Sequence, residues 1–312
     1  MIYTVTWNPA IDRVIFLHEF VRNISNRTTR VIDMLGGKGT HVSANLRTMG
    51  TDSILFGLTH GVNGERIQQM LEDLSLPTTH FYHYPNGNTR MNYLLVEDSG
   101  DSTLVTERGV QLSEAVQQEM VDRICETLTK GDWLVLSGDA SNCSDPWISV
   151  KLIQRLRGRG IRIFLDTSGV TLRQCVQQDI FLMKPNLDEL SELLGRSIGA
   201  EHGEIMQVVN APELAHIPVI AVSMGGFGSL IRGEGRFYQV SPAPVSVVNT
   251  VGCGDCFLAG MLHGFSRHMA TKTLLQFATA CAGACAESPF SYGFDLDRAL
   301  ALMPEVNVDI LD

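Results

Sequence analysis

The segment Asn249–Met261, NTVGCGDCFLAGM, carries the most concentrated chemistry in the chain. Gly252, Cys253 and Gly254 precede Asp255, and an apolar helix starts there. Glycines let successive backbone N–H groups converge on an anion, and the dipole of the helix that follows adds to the attraction. A carboxylate beside such a cradle repels phosphate unless it has a task. One such task is to take the proton from a hydroxyl whose oxygen attacks phosphorus. The same residues also satisfy a plainer reading, an aspartate capping a helix after a glycine turn.

Four further segments have suitable residue types. In KPNLDEL, Lys184–Leu190, Asn186 and Glu189 stand three apart across a helix start. That spacing suits either the water shell of a Mg²⁺ ion or a capping box. In VSMGGFGS, Val222–Ser229, three glycines and two serines at a strand end suit a nucleotide-phosphate loop. Gly36-Gly37-Lys38-Gly39 puts a cation and free amides at a helix start, a place for a small anion or simply a solvated lysine in a turn. It is not a Walker A motif, in which Ser or Thr directly follows Gly-Lys. Asn88-Thr89-Arg90 opens an extended segment, where an arginine either faces solvent or meets a ligand.

These segments need a scaffold, and the hydrophobic pattern predicts one. Residues 2–6 and 53–57 read as buried strands, and 40–49 and 63–74 as helices. From residue 113 helices and short apolar strands alternate. The helices are 113–128, 146–156, 187–194 and 204–211; the strands are 133–137, 161–166, 180–183 and 218–223. Continuous apolar strands between helices indicate a mostly parallel sheet sandwiched by helices, an α/β fold. A hairpin, 229–232 with 236–240, and helices 254–267, 271–287 and 296–302 complete it. Residues 12–17, 27–34, 89–96 and 102–107 have no helical period and read as a separate small sheet. The length suits one large α/β domain or two small ones, with the small sheet outside the main one.

Composition narrows the partners. Lys plus Arg number 24 against 34 Asp plus Glu, a net charge of −10, so no broad basic face for nucleic acid or an anionic membrane is expected. No apolar run reaches the ~20 residues that span a bilayer, and the first residues do not resemble a signal peptide. Seven cysteines, an odd number, suit a reduced cytoplasmic setting better than a disulfide framework. Cys253, Cys256, Cys281 and Cys285 have a spacing that zinc can use, but glycines interleave the first pair and small residues surround the second. Tight helix packing is the expected reading.

Taken together and in this order, the segments resemble the PfkB family, the ribokinase-like carbohydrate kinases. The resemblance covers essentially the whole chain: NPAID at 8–12, GGKG at 36–39, TR at 89–90, DTSG at 166–169, then KPNLDEL, VSMGG and NTVGCGD. NPAID and GGKG look most like the branch of 1-phosphofructokinases and tagatose-6-phosphate kinases. The resemblance implies a ribokinase-like fold using ATP and Mg²⁺. Asp255 would be the general base, and the Gly252, Cys253, Gly254 and Asp255 amides its anion hole. Asn186 and Glu189 would hold Mg²⁺ through water. Ser223, Gly225 and Gly228 would line the ATP phosphates, with Lys184 nearby. Asp12 would bind sugar hydroxyls beside Gly37 and His41, and Lys38 and Arg90 would grip the phosphate already on the sugar. The product would be a bisphosphate, and residues 1–312 would form a single ribokinase-like α/β domain with a lid sheet inserted as roughly 12–34 and 89–107, which in relatives often also pairs two subunits.

Three stretches depart from the family pattern. His41 stands where GGKGxNVA has Asn; residues 137–143, with Asp139, replace SGSLPPG; and residues 106–110 shorten a longer loop. All three are expected on the sugar side. A kinase of an unphosphorylated sugar or nucleoside therefore stays open as an alternative. A non-catalytic sugar-phosphate sensor is a third reading, one that gives Asp255, Asn186 and Glu189 no task.

Overall fold

The structure, a computed structural model, describes residues 1–138 and 140–311. In chain order its strands and helices begin with β1 (Ile2–Thr6), β2 (Ala10–Leu17), β3 (Arg30–Gly36), α1 (Lys38–Thr48), β4 (Ser53–His60), α2 (Gly61–Asp73), β5 (Phe81–Tyr84), β6 (Met91–Glu97) and β7 (Ser102–Thr106). They continue with α3 (Glu114–Thr127), β8 (Trp133–Ser137), α4 (Ile148–Leu156), β9 (Arg162–Asp166), α5 (Gly169–Cys175), β10 (Leu182–Met183), α6 (Leu187–Leu194), α7 (His202–Val209) and β11 (Val219–Ser223). The last are β12 (Ser229–Gly233), β13 (Arg236–Ser241), α8 (Cys253–Ser266), α9 (Thr271–Ala286), α10 (Leu296–Leu302) and β14 (Asn307–Leu311).

Ten strands form one sheet in the order β14-β13-β12-β11-β10-β9-β8-β1-β4-β5. From β11 to β5 neighbouring strands run parallel, whereas β12, β13 and β14 add an antiparallel edge. Side chains alternate across a strand, so a sheet covered on both faces needs apolar residues in continuous runs. Leu134, Leu136, Ile163, Leu165, Ile220 and Val222 pack on one face with Ile124, Leu152, Leu172, Leu190 and Ile205. Their neighbours Val135, Phe164 and Ala221 pack on the other face with Leu46, Phe257, Leu262, Ala278 and Leu302.

The expected lid is present as a four-stranded sheet, β3-β2-β6-β7. Its first part is longer than the sequence estimate, residues 10 to 36 rather than 12–34, and its second part is shorter, 91 to 106 rather than 89–107. The inner face buries Val14, Met34, Leu94 and Val96 against half-buried Val251, Phe290 and Tyr292. The lid therefore rests on the turn that leads into α8. Three elements lie outside the expectations. β5 is four residues long and carries two tyrosines and a histidine; α5 has only two turns; β14 pairs at the sheet edge with β13 through exposed Ile310.

Candidate active site

The parallel strands end on one side of the sheet, the place where open α/β sheets form a crevice. Thr6 ends β1, Ser137 ends β8, Asp166 ends β9, and Lys184 follows β10. The loop 224–228 follows β11, and the lid covers the opening. The cavity so enclosed has a volume of about 890 Å³. Every residue assigned to a site from sequence lines it, from Asp12 on the lid to Asp255 on α8.

The turn before α8 is built around Gly252. Its φ is 86°, a left-handed conformation, and a Cβ there would lie 1.7 Å from the Ser291 carbonyl oxygen. The turn aims the first N–H groups of α8 into the cavity. Cys253 N–H donates to the Thr250 carbonyl at 3.3 Å, and Cys256 N–H to the Gly252 carbonyl at 2.9 Å. Among the described residues, the N–H groups of Gly252, Gly254 and Asp255 have no such acceptor. The cradle thus has three donors rather than the four expected, since Cys253 is already engaged. Asp255 is in the same turn, its side chain 7% exposed.

Two lysines and two carboxylates stand beside the cradle. Asp166 is fully buried, 3.1 Å from Lys184 Nζ and 3.6 Å from Lys38 Nζ. Burial alone would raise its pKa, but the two ammonium groups hold the carboxyl below its ordinary value. Lys38 Nζ is also 3.5 Å from Glu189 Oε1. Asp166 first, then Asp255 and Glu189, raise the Lys38 pKa against the opposing effect of burial. Lys184 Nζ reaches to 3.3 Å from where a Cβ on residue 254 would stand, so a cation lies beside the cradle.

Asn186 and Glu189 form a capping box at the start of α6. The Asn186 side chain accepts from Glu189 N–H at 2.7 Å, and Glu189 Oε2 accepts from Asn186 N–H at 2.9 Å. Only Glu189 Oε1 faces the cavity charges. Among the described residues, no group of three or more His, Cys, Asp or Glu could hold a metal ion. One carboxylate oxygen outside the capping box, shared with Lys38 Nζ at 3.5 Å, fits a hydrated Mg²⁺, which keeps most of its waters, and does not fit direct coordination by the protein.

On the lid side the contacts are made by side chains. Asp12 Oδ1 accepts from Asn92 Nδ2 at 2.8 Å. The carboxylate packs so closely on β3 that a Cβ at Gly36 would lie 2.3 Å from Oδ1. His41 is buried between Asp12 and Asp255. The Arg90 guanidinium donates to the Asn8 carbonyl at 2.8 Å from Nη2 and 3.2 Å from Nε, and to the Glu107 carbonyl at 3.3 Å. The shortened stretch 106–110 thus ties Arg90 to the lid. Asn8 Nδ2 donates to the Arg108 carbonyl at 3.0 Å. Asp139 lies outside the described residues.

The sequence pattern of the pfkB family carbohydrate kinases matches residues 5–293. The chain belongs to this family. Over 309 residues the kinase is 30% identical to 1-phosphofructokinase of Bacillus subtilis, covering 99% of each chain. It is 29% identical over 282 residues to tagatose-6-phosphate kinase of Staphylococcus epidermidis, covering 90% of each. Phosphofructokinase-2 of Escherichia coli, solved in complex with substrates and products, shares the fold with a TM-score of 0.87 at 24% identity, over 97% of this chain and 98% of that one.

Within the carbohydrate kinase, three residues at the site were not assigned from sequence. Asp166 lies in the DTSG segment, whose position after a strand was the available signal. Asn92 and Tyr292 left none, because only folding brings them to Asp12 and His41. Cys256, Cys281 and Cys285 are fully buried between α8 and α9, and Cys256 Sγ donates to the Cys281 carbonyl at 3.2 Å. Burial pushes the Cys256 thiol up to about 11. All seven cysteines are free thiols, and among the described residues no helix is long and apolar enough to cross a membrane.

Proposed function

We propose that this kinase transfers the γ-phosphoryl group of ATP to a ketohexose phosphate of the fructose 1-phosphate or tagatose 6-phosphate type. The observation that carries the reading is Asp255 within a turn of free N–H donors, facing a cavity that also holds Lys38, Lys184 and Glu189. Asp255 takes the proton of the accepting hydroxyl. The sugar oxygen forms its bond to phosphorus as the bond to the leaving ADP oxygen breaks, and the product is a bisphosphate. Charge on the transferring group is met by the Gly252, Gly254 and Asp255 amides and by Lys184.

The ATP phosphates are assigned to the loop with Ser223, Gly225 and Gly228, and its base to the apolar wall of Pro242, Ala243, Val245 and Val247. Glu189, oriented by Asn186, would hold Mg²⁺ through water. The ion supplies neutralisation of phosphate charge. Asp12 fixes the sugar hydroxyls. The reading extends to a homodimer across the lid, where Val31, Leu104 and Val105 are exposed. A dimer mass in light scattering is the expected result, and a monomer at all concentrations removes this extension.

Lys38 and Arg90 are assigned to the phosphate already on the sugar. The Lys38 ion pairs are long, at 3.5 and 3.6 Å, so a phosphate can compete with shorter charge-assisted hydrogen bonds. The same contacts favour a second reading, in which Lys38 serves the transferring phosphoryl group and the substrate is a plain sugar. Arg90→Ala separates the two. Loss of a charge-assisted contact of roughly 1.5–3 kcal/mol should raise KM for the sugar phosphate about ten-fold or more. KM for an unphosphorylated ketohexose should hardly change. An equal loss on both sugars would remove the phosphate assignment.

A further inference from the structure

His41 has a geometry that neither the cradle nor the phosphate contacts explain. It sits on α1 with its side chain 5% exposed. Its Nδ1 is 2.9 Å from Asp255 Oδ2. Its Nε2 is 3.0 Å from the Leu35 carbonyl oxygen and 3.3 Å from Asp12 Oδ2. A neutral imidazole has one N–H and one lone pair. Here both nitrogens face acceptors, two of them carboxylates. Only a ring with an N–H at each position satisfies them all.

The rest of the surroundings agree. Tyr292 packs beside the ring at 5.6 Å between centroids and offers no charge. Lys38, one turn earlier on α1, directs its amine to Asp166 and Glu189 rather than to the ring. Asn92 donates to the other oxygen of Asp12 at 2.8 Å, so it does not compete for Oδ2. Asp12 and Asp255 thus flank the ring, each facing it through Oδ2.

We propose that His41 is the positioning residue of the phosphoryl transfer, an imidazolium that clamps Asp255 and Asp12 through Oδ2 of each and leaves Asp255 Oδ1 to take the hydroxyl proton. The role rests on the kinase reading, whereas the clamp itself does not. It joins the base on α8 to the sugar-binding carboxylate on β2, so base and hydroxyl keep one register. Burial alone would push the ring's pKa down, but the hydrogen bonds it donates to Asp12 and Asp255 outweigh it and raise it to about 10.

Side-chain ¹⁵N NMR of the substrate-free wild type tests the clamp, with the His41 signal assigned by its loss in His41→Asn. Both ring nitrogens should be protonated at pH 8. A neutral ring at that pH overturns the clamp. Kinetics test the role. His41→Asn and His41→Ala should lower kcat by about ten- to a hundred-fold, with Asn the milder because its amide keeps one donor, and leave KM for ATP unchanged. Wild-type kcat in both variants overturns the role. If neither variant folds, the His41 signal is assigned through its contact with the Tyr292 ring, and the wild-type spectrum decides. If wild type phosphorylates no sugar or sugar phosphate, the kinase reading fails, while the ring spectrum still judges the clamp.

Discussion

The two walls of the cavity are built by different means. On the α8 side the donors are main-chain amides held by a left-handed glycine, and the charged groups stand at the ends of parallel strands of one sheet. On the lid side the functional groups are side chains. Asp12, Asn92 and His41 come from β2, β6 and α1 and hold one another by hydrogen bonds and charge, while Arg90, just before β6, is held by the Asn8 and Glu107 carbonyls. The first wall needs a backbone shape, and many sequences supply it only with glycine. The second needs particular side chains to meet, and it can change with a few substitutions. The three departures from the family pattern, at His41, 106–110 and 137–143, were all expected on the sugar side. His41 contacts Asp12, and the 106–110 stretch contacts Arg90 and Asn8.

Substitutions on the two walls should therefore differ in kind. The largest effect is expected at Asp255. Asp255→Asn removes general-base catalysis, typically ~10²–10⁴-fold in rate. ATP binding should remain near wild type, because the cradle amides are untouched. Stopped-flow binding and steady-state kcat measure the two separately, and a variant that keeps most of its rate would remove Asp255 from the mechanism.

A smaller effect is expected at Glu189. Glu189→Gln keeps an oxygen for the capping box but loses the charge facing Lys38. The Mg²⁺ concentration for half-maximal activity should rise by several-fold, on the order of the ~1 kcal/mol that a partly solvated charge contributes. An unchanged metal dependence would confine Asn186 and Glu189 to capping the helix.

The smallest effect lies where the lid meets the main sheet. Asp33 on β3 pairs with Arg13 on β2 at 2.7 Å and with Arg66 on α2. The hydrogen bond from Arg13 first, and that from Arg66, hold the Asp33 carboxyl down at about 2, against burial. A depressed carboxylate pKa stabilises the folded state in full above its unfolded value, near 4, and the contribution is lost as pH falls toward 2. Both arginines are more than a third exposed at the side chain, so screening reduces the contribution to about 1 kcal/mol. Asp33→Asn should lower Tm slightly at pH 7, and the gap to wild type should close toward pH 2. A gap that widens in acid would contradict this sign.

The contrast between the walls also explains what the sequence revealed. The large sheet was legible because both its faces are buried, so each strand reads as an apolar run between amphipathic helices. The turn before α8 and the 223–228 loop were legible as parts of the cavity wall because glycines cluster there at a helix start and a strand end. The capping box at Asn186 and Glu189 was one of two expected geometries, and it is present. By contrast, β5 and β14 owe their place to neighbours rather than to pattern. The meeting of Asn92 with Asp12 spans 80 residues, and that of His41 with Asp255 spans 214. No local spacing records such contacts. The engagement of Cys253 N–H by Thr250 was equally hidden, since it depends on how tightly the turn closes.

The central claim is that this carbohydrate kinase phosphorylates a sugar that already bears a phosphate. The direct measurement is ADP release by the wild-type protein with Mg-ATP, over a panel of ketohexoses, their 1- and 6-phosphates, and nucleosides. The account predicts the highest kcat/KM for a ketohexose phosphate, by at least about ten-fold over the matching plain sugar, the value of one charge-assisted contact. Preference for a plain sugar or a nucleoside, or no ADP release with any of them, would contradict it.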